Sequence, residues 1–463
     1  MRPKLFLLLL CVSTFSFAQQ PLTTTQINRL ADAGKIYGYV KYFHPFLQYT
    51  DINWDSAFAA NVEATMKAGN KYDYAAVLQK MFSVLNDGLT TVAKIPGDDS
   101  NYRVQSLAYQ IEDSILYMQM NDAPFLTTDE ALSKALQNMG SVKGAIFDLR
   151  RPKNSKYMDM LGNGEYLDWF SSWYKGKILM PSRRTVSYAG FPGEFCKGCN
   201  NAIFKEQVLF TAAGDLNKDV PLVIISANDN DIPLLGVKLQ EKGIAKILQE
   251  GDKELLPGAS IYFYIADSLL IQMRTGEAIN TDGSLLLVHP DATFKHEDSF
   301  NEVKAKAKKL LLSNSPGISE NKKIHPMPTD PLFLTLNESA YPSIGYRMLA
   351  AAKMFTIIKH FYASKSSMTI NWDSLYKVII PKFIAAKDSL EYWRAAAEFH
   401  ACIQDSHGFI SKSNEGFSLR LNPMIQDKGA FMPPVFTGII ENKIVVTGIF
   451  NDSVCKKIGI AKG

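Results

Sequence analysis

The sequence predicts a multidomain protein that combines α/β and all-α parts: a helical bundle, an α/β layer domain, a second helical bundle and a short C-terminal β segment. Three observations predict this class. The pentapeptide Ile-Asn-Trp-Asp-Ser occurs at 52–56 and again at 370–374. Apolar residues recur at helical spacing around both copies, whereas the residues between the copies form short apolar runs typical of buried strands. The length of 463 residues accommodates about three domains.

The pentapeptide belongs to a longer internal repeat. The second copy lies 318 residues after the first, and the same offset aligns further identical residues. These pairs are Lys35 and Lys353, Lys41 and Lys359, Phe43 and Phe361, Tyr74 and Tyr392, and Asp87 and Asp405. Solenoid repeats have periods of roughly 20–50 residues, so this spacing indicates duplication of a whole unit.

The N-terminus resembles a secretory signal. Arg2 and Lys4 precede the apolar stretch 5–12, and Ala18 ends a small-residue cleavage site. We expect residues 1–18 to be a signal peptide and the protein to be exported, either periplasmic or extracellular. No later stretch reaches about 18 uninterrupted apolar residues, so no transmembrane segment is predicted after signal cleavage.

Charge and cysteine content exclude several classes of function. The net charge is only +4, and the positive residues are dispersed, so no nucleic-acid partner is predicted. Cys196 and Cys199 have the spacing of half a zinc site or of a redox pair. A zinc site needs a second pair of ligands and none is evident, so a local disulfide or two free thiols is the simpler interpretation. We expect no metal and no cofactor.

Both copies of the repeat predict small helical bundles, one over 24–95 and one over 336–415. Asn53 or Asp55 can cap a second helix in the first copy, and Trp54 would anchor that helix to the preceding one. Apolar residues at helical spacing mark the first and third helices of this copy: Ile36, Val40 and Phe43, and then Val77, Met81 and Val84.

Residues 100–300 predict an α/β layer domain, because strand-like and helix-like segments alternate there. The predicted strands are 144–150, 221–226, 244–248, 261–265, 269–273 and 285–288, and the predicted helices are 128–139 and 231–242. A linker is predicted over 301–335, with a basic helical face at 304–309, because Ser, Pro, Asn and Lys are frequent after residue 313.

The C-terminal segment 430–463 predicts two strands, 435–440 and 443–450, and a short helix, 452–457. Two strands cannot bury a core of their own. We therefore expect this segment to be the first part of a further domain in a longer protein.

Four local patterns resemble the C-terminal processing, or tail-specific, serine peptidases, in particular the tricorn-type branch. They are Asp405-Ser406-His407-Gly408, the pair of segments 445–447 and 459–463, the strand 143–150, and His289-Pro290-Asp291. The resemblance implies a bundle, a PDZ domain and an α/β domain of the ClpP/crotonase-like type. It makes 100–300 the peptidase-like domain and 430–463 a partial PDZ domain.

The resemblance also implies catalytic residues. Ser406 and His407 match a Ser-His pair at the end of the family's bundle, in which the histidine acts as general base. Without the resemblance, a helix-end cap is the simpler interpretation of His407 next to Gly408. In the first copy, Gly88 and Leu89 replace this pair.

The first α/β domain lacks a serine where the family has its nucleophile. Depending on the register, Asn228 or Asn230 occupies that position, and asparagine cannot form an acyl-enzyme. Ser226 comes two to four residues too early and is interpreted as the end of a strand. Lys253 is the lysine nearest to the position of the family's dyad lysine, and it is interpreted as a solvated loop charge.

The sequence therefore predicts an exported serine peptidase that acts on peptides or unfolded proteins. In this prediction the first copy is degenerate, the nucleophile is absent from the chain, and the 463-residue chain alone is inactive. The alternative prediction is a non-catalytic pseudo-peptidase that binds peptides or envelope components.

Overall fold

The computed structural model describes two compact units, Met1–Ala396 and Ala397–Gly463, each taken by itself below. The described residues are 21–96, 108–119, 141–150, 175–178, 181–190, 202–207, 212–215, 220–226, 234–252, 255–313, 324–327, 341–405, 434–441 and 443–463.

The described helices follow the predicted repeat. They are α1 (Thr24–Phe43), α2 (Trp54–Lys67), α3 (Lys71–Phe82), α4 (Leu234–Glu241), α5 (Phe300–Leu312), α6 (Ile344–Phe361), α7 (Trp372–Ala385), α8 (Ser389–Ala401) and α9 (Asp452–Lys457). Asn53 and Asn371 cap α2 and α7 in the same way, since each side chain accepts a hydrogen bond from the backbone N–H three residues later, Ser56 or Ser374. Both copies of the repeat thus begin their second helix at the tryptophan.

The described strands form five sheets. The strands are β1 (Thr91–Lys94), β2 (Ala108–Glu112), β3 (Ile115–Gln119), β4 (Gly144–Asp148), β5 (Lys175–Ile178), β6 (Ser182–Tyr188), β7 (Ala202–Gln207), β8 (Ala212–Asp215), β9 (Leu222–Ser226), β10 (Ala245–Glu250), β11 (Ser260–Tyr264), β12 (Leu270–Arg274), β13 (Gly276–Ile279), β14 (Ala292–Phe294), β15 (Val435–Ile440) and β16 (Lys443–Ile449). The strand predicted at 285–288 is absent: these described residues form only isolated bridges, Leu285 to Ile279 and Val288 to Leu255.

The two copies of the repeat pack against each other. The sequence predicts two separate bundles, but α1 and α2 contact α6, and α1 also contacts α7. Equivalent residues meet between α1 and α6: the rings of Phe43 and Phe361 stack at 6.2 Å. Gly38 lies against Thr356, its counterpart, so closely that a Cβ on Gly38 would stand 2.2 Å from the threonine side chain. Contacts between equivalent positions are those of an approximate two-fold axis, as in a symmetric dimer.

Crossed ion pairs join the copies around this axis. Each aspartate of the repeated pentapeptide binds one lysine from its own copy and one from the other. The four pairs are Lys41–Asp55 (3.1 Å), Lys353–Asp55 (2.7 Å), Lys35–Asp373 (3.4 Å) and Lys359–Asp373. The residues shared by the two copies therefore include those that hold the copies together.

The largest sheet has the strand order β14-β10-β9-β4-β3-β2, with β2 antiparallel to β3 and the other neighbours parallel. Successive side chains of a strand point to opposite faces. Leu248 accordingly packs with Val303 and Leu310 of α5, and Ile247 packs with Val237 of α4. The sheet is thus covered on both faces.

The first part of the region predicted as a linker, 301–335, is instead the helix α5. The structure extends the basic face predicted at 304–309 into a 13-residue helix with a capping box between Ser299 and Glu302. Because Val303, Ala307 and Leu310 are buried against the sheet, the α/β layer continues to Leu312.

Three smaller sheets complete the first unit: β1-β12-β11, β13-β6-β7 and β5-β8. The pairing of β1 with β12 joins the end of the first bundle to the α/β part, since only a 3-10 turn (Ser83–Leu85) and a short loop separate α3 from β1. This contact brings residues about 180 positions apart in the chain into one site.

The second unit contains the hairpin β15–β16 and the short helix α9, as the sequence predicts. Asn451 caps α9, and Cys455 is buried. The assignment of this segment to a PDZ domain stays a prediction. Among the described residues of the whole chain, no helix is long and apolar enough to cross a membrane.

Candidate functional site

Most of the predicted site residues lie outside the described residues. This holds for Ser406, His407, Asn228, Asn230 and Lys253. It also holds for Cys196 and Cys199. The described residues include two places that the sequence prediction refers to: the carboxyl edge of the large sheet and the end of the first bundle.

Ser226 is the last residue of β9 and lies at the carboxyl edge of the sheet, paired in register with Gln249 of β10. Its side chain is fully buried, and its Oγ has no hydrogen-bond partner among the residues that the structure describes. A serine becomes a nucleophile when a base takes its proton. Among the described residues Ser226 has no such base, and its place as the last residue of β9 agrees with its interpretation as the end of a strand.

Asp148 ends the neighbouring strand β4 and is also fully buried. It accepts a hydrogen bond from the Tyr117 hydroxyl at 2.8 Å, and two from the Arg150 guanidinium, at 2.9 and 2.6 Å. Burial, reinforced by the Asp148 charge, raises the pKa of Tyr117, so this phenol stays protonated. The carboxylate is therefore engaged in an ion pair and a hydrogen bond that fix the strand end.

The end of the first bundle is a buried ion cluster around Asp87. The Arg274 guanidinium of β12 donates to Asp87 Oδ1 through Nε at 2.9 Å and through Nη2 at 2.7 Å. The Thr90 hydroxyl donates to Oδ2 at 2.7 Å. Burial alone would raise the pKa of Asp87, but Arg274 and the hydrogen bond from His44 outweigh it and hold this pKa well below its usual range. Asp87 is thus a permanent anion that binds β12 to the bundle.

His44 completes this cluster, with both ring nitrogens in use. Nδ1 accepts the backbone N–H of Phe46 at 3.3 Å, which leaves the ring proton on Nε2, 3.1 Å from Asp87. The residue is fully buried. A general base needs a free nitrogen within reach of the substrate. His44 therefore acts as a structural hydrogen-bond donor.

A second buried cluster lies beside the first. Glu277 of β13 accepts a hydrogen bond from Arg184 of β6 at 2.8 Å and another from the Tyr49 hydroxyl. Burial, followed by the Glu277 charge, raises the pKa of Tyr49. Arg184 also donates to the carbonyl of Pro326 at 3.2 Å and lies over the ring of Phe204. This cluster joins the loop after α1 to the sheet β13-β6-β7.

Sequence reasoning missed both clusters. A signal exists for two members, because Arg274 ends a strand rich in apolar residues and Glu277 precedes Ala278 and Ile279 in the next strand, and charges buried in such places need partners. The sequence does not say which charges pair: Arg274 and Asp87 are 187 positions apart.

Asp291 of the predicted Pro-Asp pattern has a structural role. Its side chain accepts from the backbone N–H of Ile247 at 2.7 Å and from Gln240 Nε2 at 2.7 Å. These bonds hold the residue before β14 against β10 and α4.

One described serine has a lysine partner, and the geometry is that of a helix cap. Lys246 Nζ lies 2.9 Å from Ser313 Oγ and also donates to the carbonyl of Leu310 at 3.0 Å. A lysine that hydrogen-bonds the last carbonyls of a helix stabilises its C-terminus. No group of three or more His, Cys, Asp or Glu residues is gathered for a metal ion in the part of the chain that the structure describes.

Comparisons with known proteins find similarity in structure and not in sequence. No family model matches the sequence, and no curated protein matches it. A solved structure of a candidate peptidase from Parabacteroides merdae is similar over 64% of this chain and 100% of its own, with 13% identity and a TM-score of 0.39.

Two processing proteases are similar at lower scores. The photosystem II D1 C-terminal processing protease has 11% identity and a TM-score of 0.29, over 62% of this chain and 97% of its own. Mature CPAF has 10% identity and a TM-score of 0.28, over 44% and 53%. At such scores the similarity bears on neither activity nor site residues.

Proposed function

We propose that this chain belongs to an exported serine peptidase of the tail-specific, C-terminal processing family, which acts on peptides or unfolded proteins. In this proposal its first α/β domain is not catalytic, and Ser406 and His407 of the second copy are the residues that take part in catalysis. The observation that carries the proposal is the contrast at the bundle ends. The first copy has the Asp87 cluster where the second copy has the sequence Asp405-Ser406-His407.

The physical argument concerns what acyl transfer requires. A nucleophile must lie beside a base, and hydrogen-bond donors must face the developing oxyanion. At the carboxyl edge of the first sheet, Ser226 has no base in the described part of the chain, and Asp148 is bound to Arg150. At the end of the first bundle, His44 is hydrogen-bonded to Asp87. These contacts support a structural function for the first copy.

A second candidate function follows from the same contacts. If both copies are without a working nucleophile, the protein is a pseudo-peptidase that binds peptides or envelope components. For the first α/β domain by itself, this candidate is favoured by the burial of Ser226, which has no base within the described ranges.

The test is hydrolysis of fluorescein-labelled unfolded casein by the purified chain and by its Ser226→Ala and His407→Ala variants. We expect no turnover by any of the three, because in this proposal the nucleophile is absent from the chain. Turnover by the chain that Ser226→Ala abolishes would contradict the proposal. In the product of the complete reading frame, His407→Ala is expected to abolish turnover, since it removes the proposed general base. Binding of casein by that product without turnover would favour the pseudo-peptidase.

A further inference from the structure

Strand β6 carries an arginine, Arg183, whose guanidinium has no acceptor in the protein as far as the structure describes it. Its side chain is half-buried, and it forms no hydrogen bond or ion pair with any residue in the described ranges. The other buried or half-buried arginines of those ranges each donate to a carboxylate or to a backbone carbonyl; they are Arg29, Arg150, Arg184, Arg274 and Arg347. A charge withdrawn from water costs free energy unless it is paired. Arg183 is therefore suited to bind an anion from outside the chain.

The pKa of Arg183 agrees with this lack of an acid. Burial lowers the pKa of Arg183. Burial acts in the same direction on Arg150, but the hydrogen bond to Asp148 and the charge of that residue outweigh it and raise the pKa of Arg150. The comparison shows what an acidic partner does for a half-buried guanidinium, and an anionic ligand would do the same for Arg183.

A second cation, Lys205, shares the sheet face of Arg183. The backbone of Arg183 pairs in register with Ala278 of β13 on one side and with Gln207 of β7 on the other, so its position is fixed from both sides. Alternate residues of a strand point to the same face, which places Lys205 of β7 on this face, diagonal to Arg183. Diagonal positions are about 7–8 Å apart, within reach of long side chains. Lys205 is exposed.

The two glutamates of this sheet, Glu206 and Glu277, belong to the other face. Both stand opposite Arg184 in the register, and Glu277 accepts its hydrogen bond at 2.8 Å. Because Arg183 and Arg184 are adjacent in β6, their side chains point to opposite faces. On the described strands of this sheet, the face of Arg183 therefore carries positive charge that no acid of the same face neutralises.

This face lies beside the carboxyl edge of the large sheet. Ala278, directly across from Arg183, belongs to an apolar cluster that includes Leu255 and against which Leu234 packs. Leu234 begins α4, which follows β9, and Leu255 follows β10, so both come after the carboxyl ends of central strands of the large sheet. Ligands of open α/β sheets bind outside the carboxyl ends of the strands. The two cations thus stand where a ligand of this domain is expected.

We propose that Arg183 and Lys205 form a subsite for an acidic peptide, in which they bind two acidic side chains at alternate positions of an extended segment. The inference rests on the peptide ligands of the proposed function, hydrolysed or only bound. Alternate side chains of an extended chain lie about 7 Å apart on one side, which matches the spacing of the two cations. The planar fork of an arginine binds a carboxylate through two parallel hydrogen bonds. The subsite therefore selects peptides in which one residue separates two acids.

The test is isothermal titration calorimetry of the purified chain with the blocked peptide acetyl-Ala-Val-Glu-Ala-Glu-Val-Ala-amide and with its counterpart that has Gln in place of both Glu. The blocked ends carry no charge, so a difference in affinity reports the side-chain carboxylates alone. We expect the Glu peptide to bind at least about tenfold more tightly than the Gln peptide in about 50 mM NaCl. This preference should shrink in about 500 mM NaCl, because salt screens exposed charges. The Gln peptide with a free C-terminal carboxylate should bind like its blocked form.

Variants assign the preference to the two residues. Arg183→Gln should bind the Glu peptide about tenfold more weakly and the Gln peptide as before. Arg183→Lys keeps the charge but not the planar fork, so its affinity should lie between those of the wild type and Arg183→Gln. Lys205→Gln, at an exposed position, should act in the same direction but less strongly. Arg394→Gln on α8 is the matched control, since it removes one exposed positive charge elsewhere and should bind both peptides like the wild type. Circular dichroism melting identifies variants that fail to fold.

Equal affinities of the wild type for the Glu and Gln peptides would overturn the inference, while the proposed function, which needs only a peptide ligand, would not be affected. Binding of neither peptide would contradict both. Equal losses for the two peptides in Arg183→Gln would also overturn the inference, because a structural role of Arg183 reduces binding regardless of peptide charge. So would an equal loss of preference in Arg394→Gln, or binding of the Gln peptide with a free terminus as tightly as the Glu peptide.

Discussion

The two copies of the pentapeptide make the same local contacts in different surroundings. The indole of Trp54 donates to the carbonyl of Tyr37 at 3.0 Å, and that of Trp372 donates to the equivalent Phe355 at 2.9 Å. The aspartates differ: the side chain of Asp55 is 3% exposed, whereas that of Asp373 is 35% exposed. Identical sequence thus gives identical helix starts, while the fold decides how deeply each charge is buried.

The ends of the bundles differ more. Asp87 and Asp405 are equivalent, but only in the first copy does a histidine, His44, stand where the second has Tyr362. In the first copy His44 and Arg274 bind the aspartate. The first copy therefore uses its aspartate for stability, and the second copy retains the Ser-His sequence on which the proposed function depends.

The largest expected effect is that of Asp87→Asn. Removal of the charge leaves Arg274, whose side chain is 2% exposed, without its anion. We expect the free energy of unfolding to fall by about 3–5 kcal/mol, measured by urea denaturation. Asp113→Asn is the matched control, since Asp113 forms an exposed ion pair with Lys308, and its removal should change the free energy of unfolding far less. Equal losses in the two variants would remove the contrast between a buried cluster and a surface pair.

The paired variants Asp55→Asn and Asp373→Asn compare the two copies directly. Burial would raise the pKa of Asp55, but Lys41 and Lys353 outweigh it and hold the pKa below the usual value. We expect Asp55→Asn to lower the free energy of unfolding by about 2–4 kcal/mol. Asp373→Asn should cost about 1 kcal/mol or less, because its surroundings are more solvated. Thermal melting at low and high salt measures the loss of stability in each variant. A larger loss in Asp373→Asn than in Asp55→Asn would contradict the comparison.

The contact between equivalent positions can be broken with one methyl group. Gly38→Ala would place a Cβ 2.2 Å from the Thr356 side chain, which forces α1 and α6 apart. We expect the free energy of unfolding to fall by about 1–3 kcal/mol, although alanine is a better helix former than glycine. The double variant Gly38→Ala, Thr356→Gly should recover part of the loss in the same denaturation experiment. Failure to recover would mean that the two positions do not meet.

The smallest expected effect concerns pH. Burial, followed by the charges of Lys365 and Lys359, lowers the pKa of His360 to about 4. Between pH 6.5 and 4 the unfolded chain binds a proton that the folded protein does not, so stability falls as pH falls through this window. Because the side chain is partly solvated, we expect the free energy of unfolding to fall by about 1 kcal/mol between pH 7 and pH 5. His360→Phe should remove this slope, whereas Tyr42→Phe, at the equivalent position, should keep it.

The local elements could be predicted from the sequence, because their signals are local. The Asn53 cap, the Trp54 anchor, β9, β15 and α9 all follow from residues within a few positions. The strand predicted at 285–288 is wrong because its apolar residues pack against α4 without a ladder. Local pattern alone cannot separate these two uses of a short apolar run.

The long-range part of the fold could not be predicted. No local signal indicates that the two bundles join, since an amphipathic helix face does not identify its partner. The same applies to the Asp87 and Glu277 clusters, whose members come from distant elements. The predicted catalytic residues Ser406 and His407 lie outside the described residues, so their roles stay predictions.

The pairing of the two copies is tested most directly by a double-mutant cycle between Asp55 and Lys353, which lie 2.7 Å apart across the two-fold axis. Asp55→Asn, Lys353→Met and the double variant are unfolded in urea beside the wild type. We predict a coupling free energy of about 1–3 kcal/mol. Additive losses, with a coupling below about 0.3 kcal/mol, would contradict the pairing of the two copies.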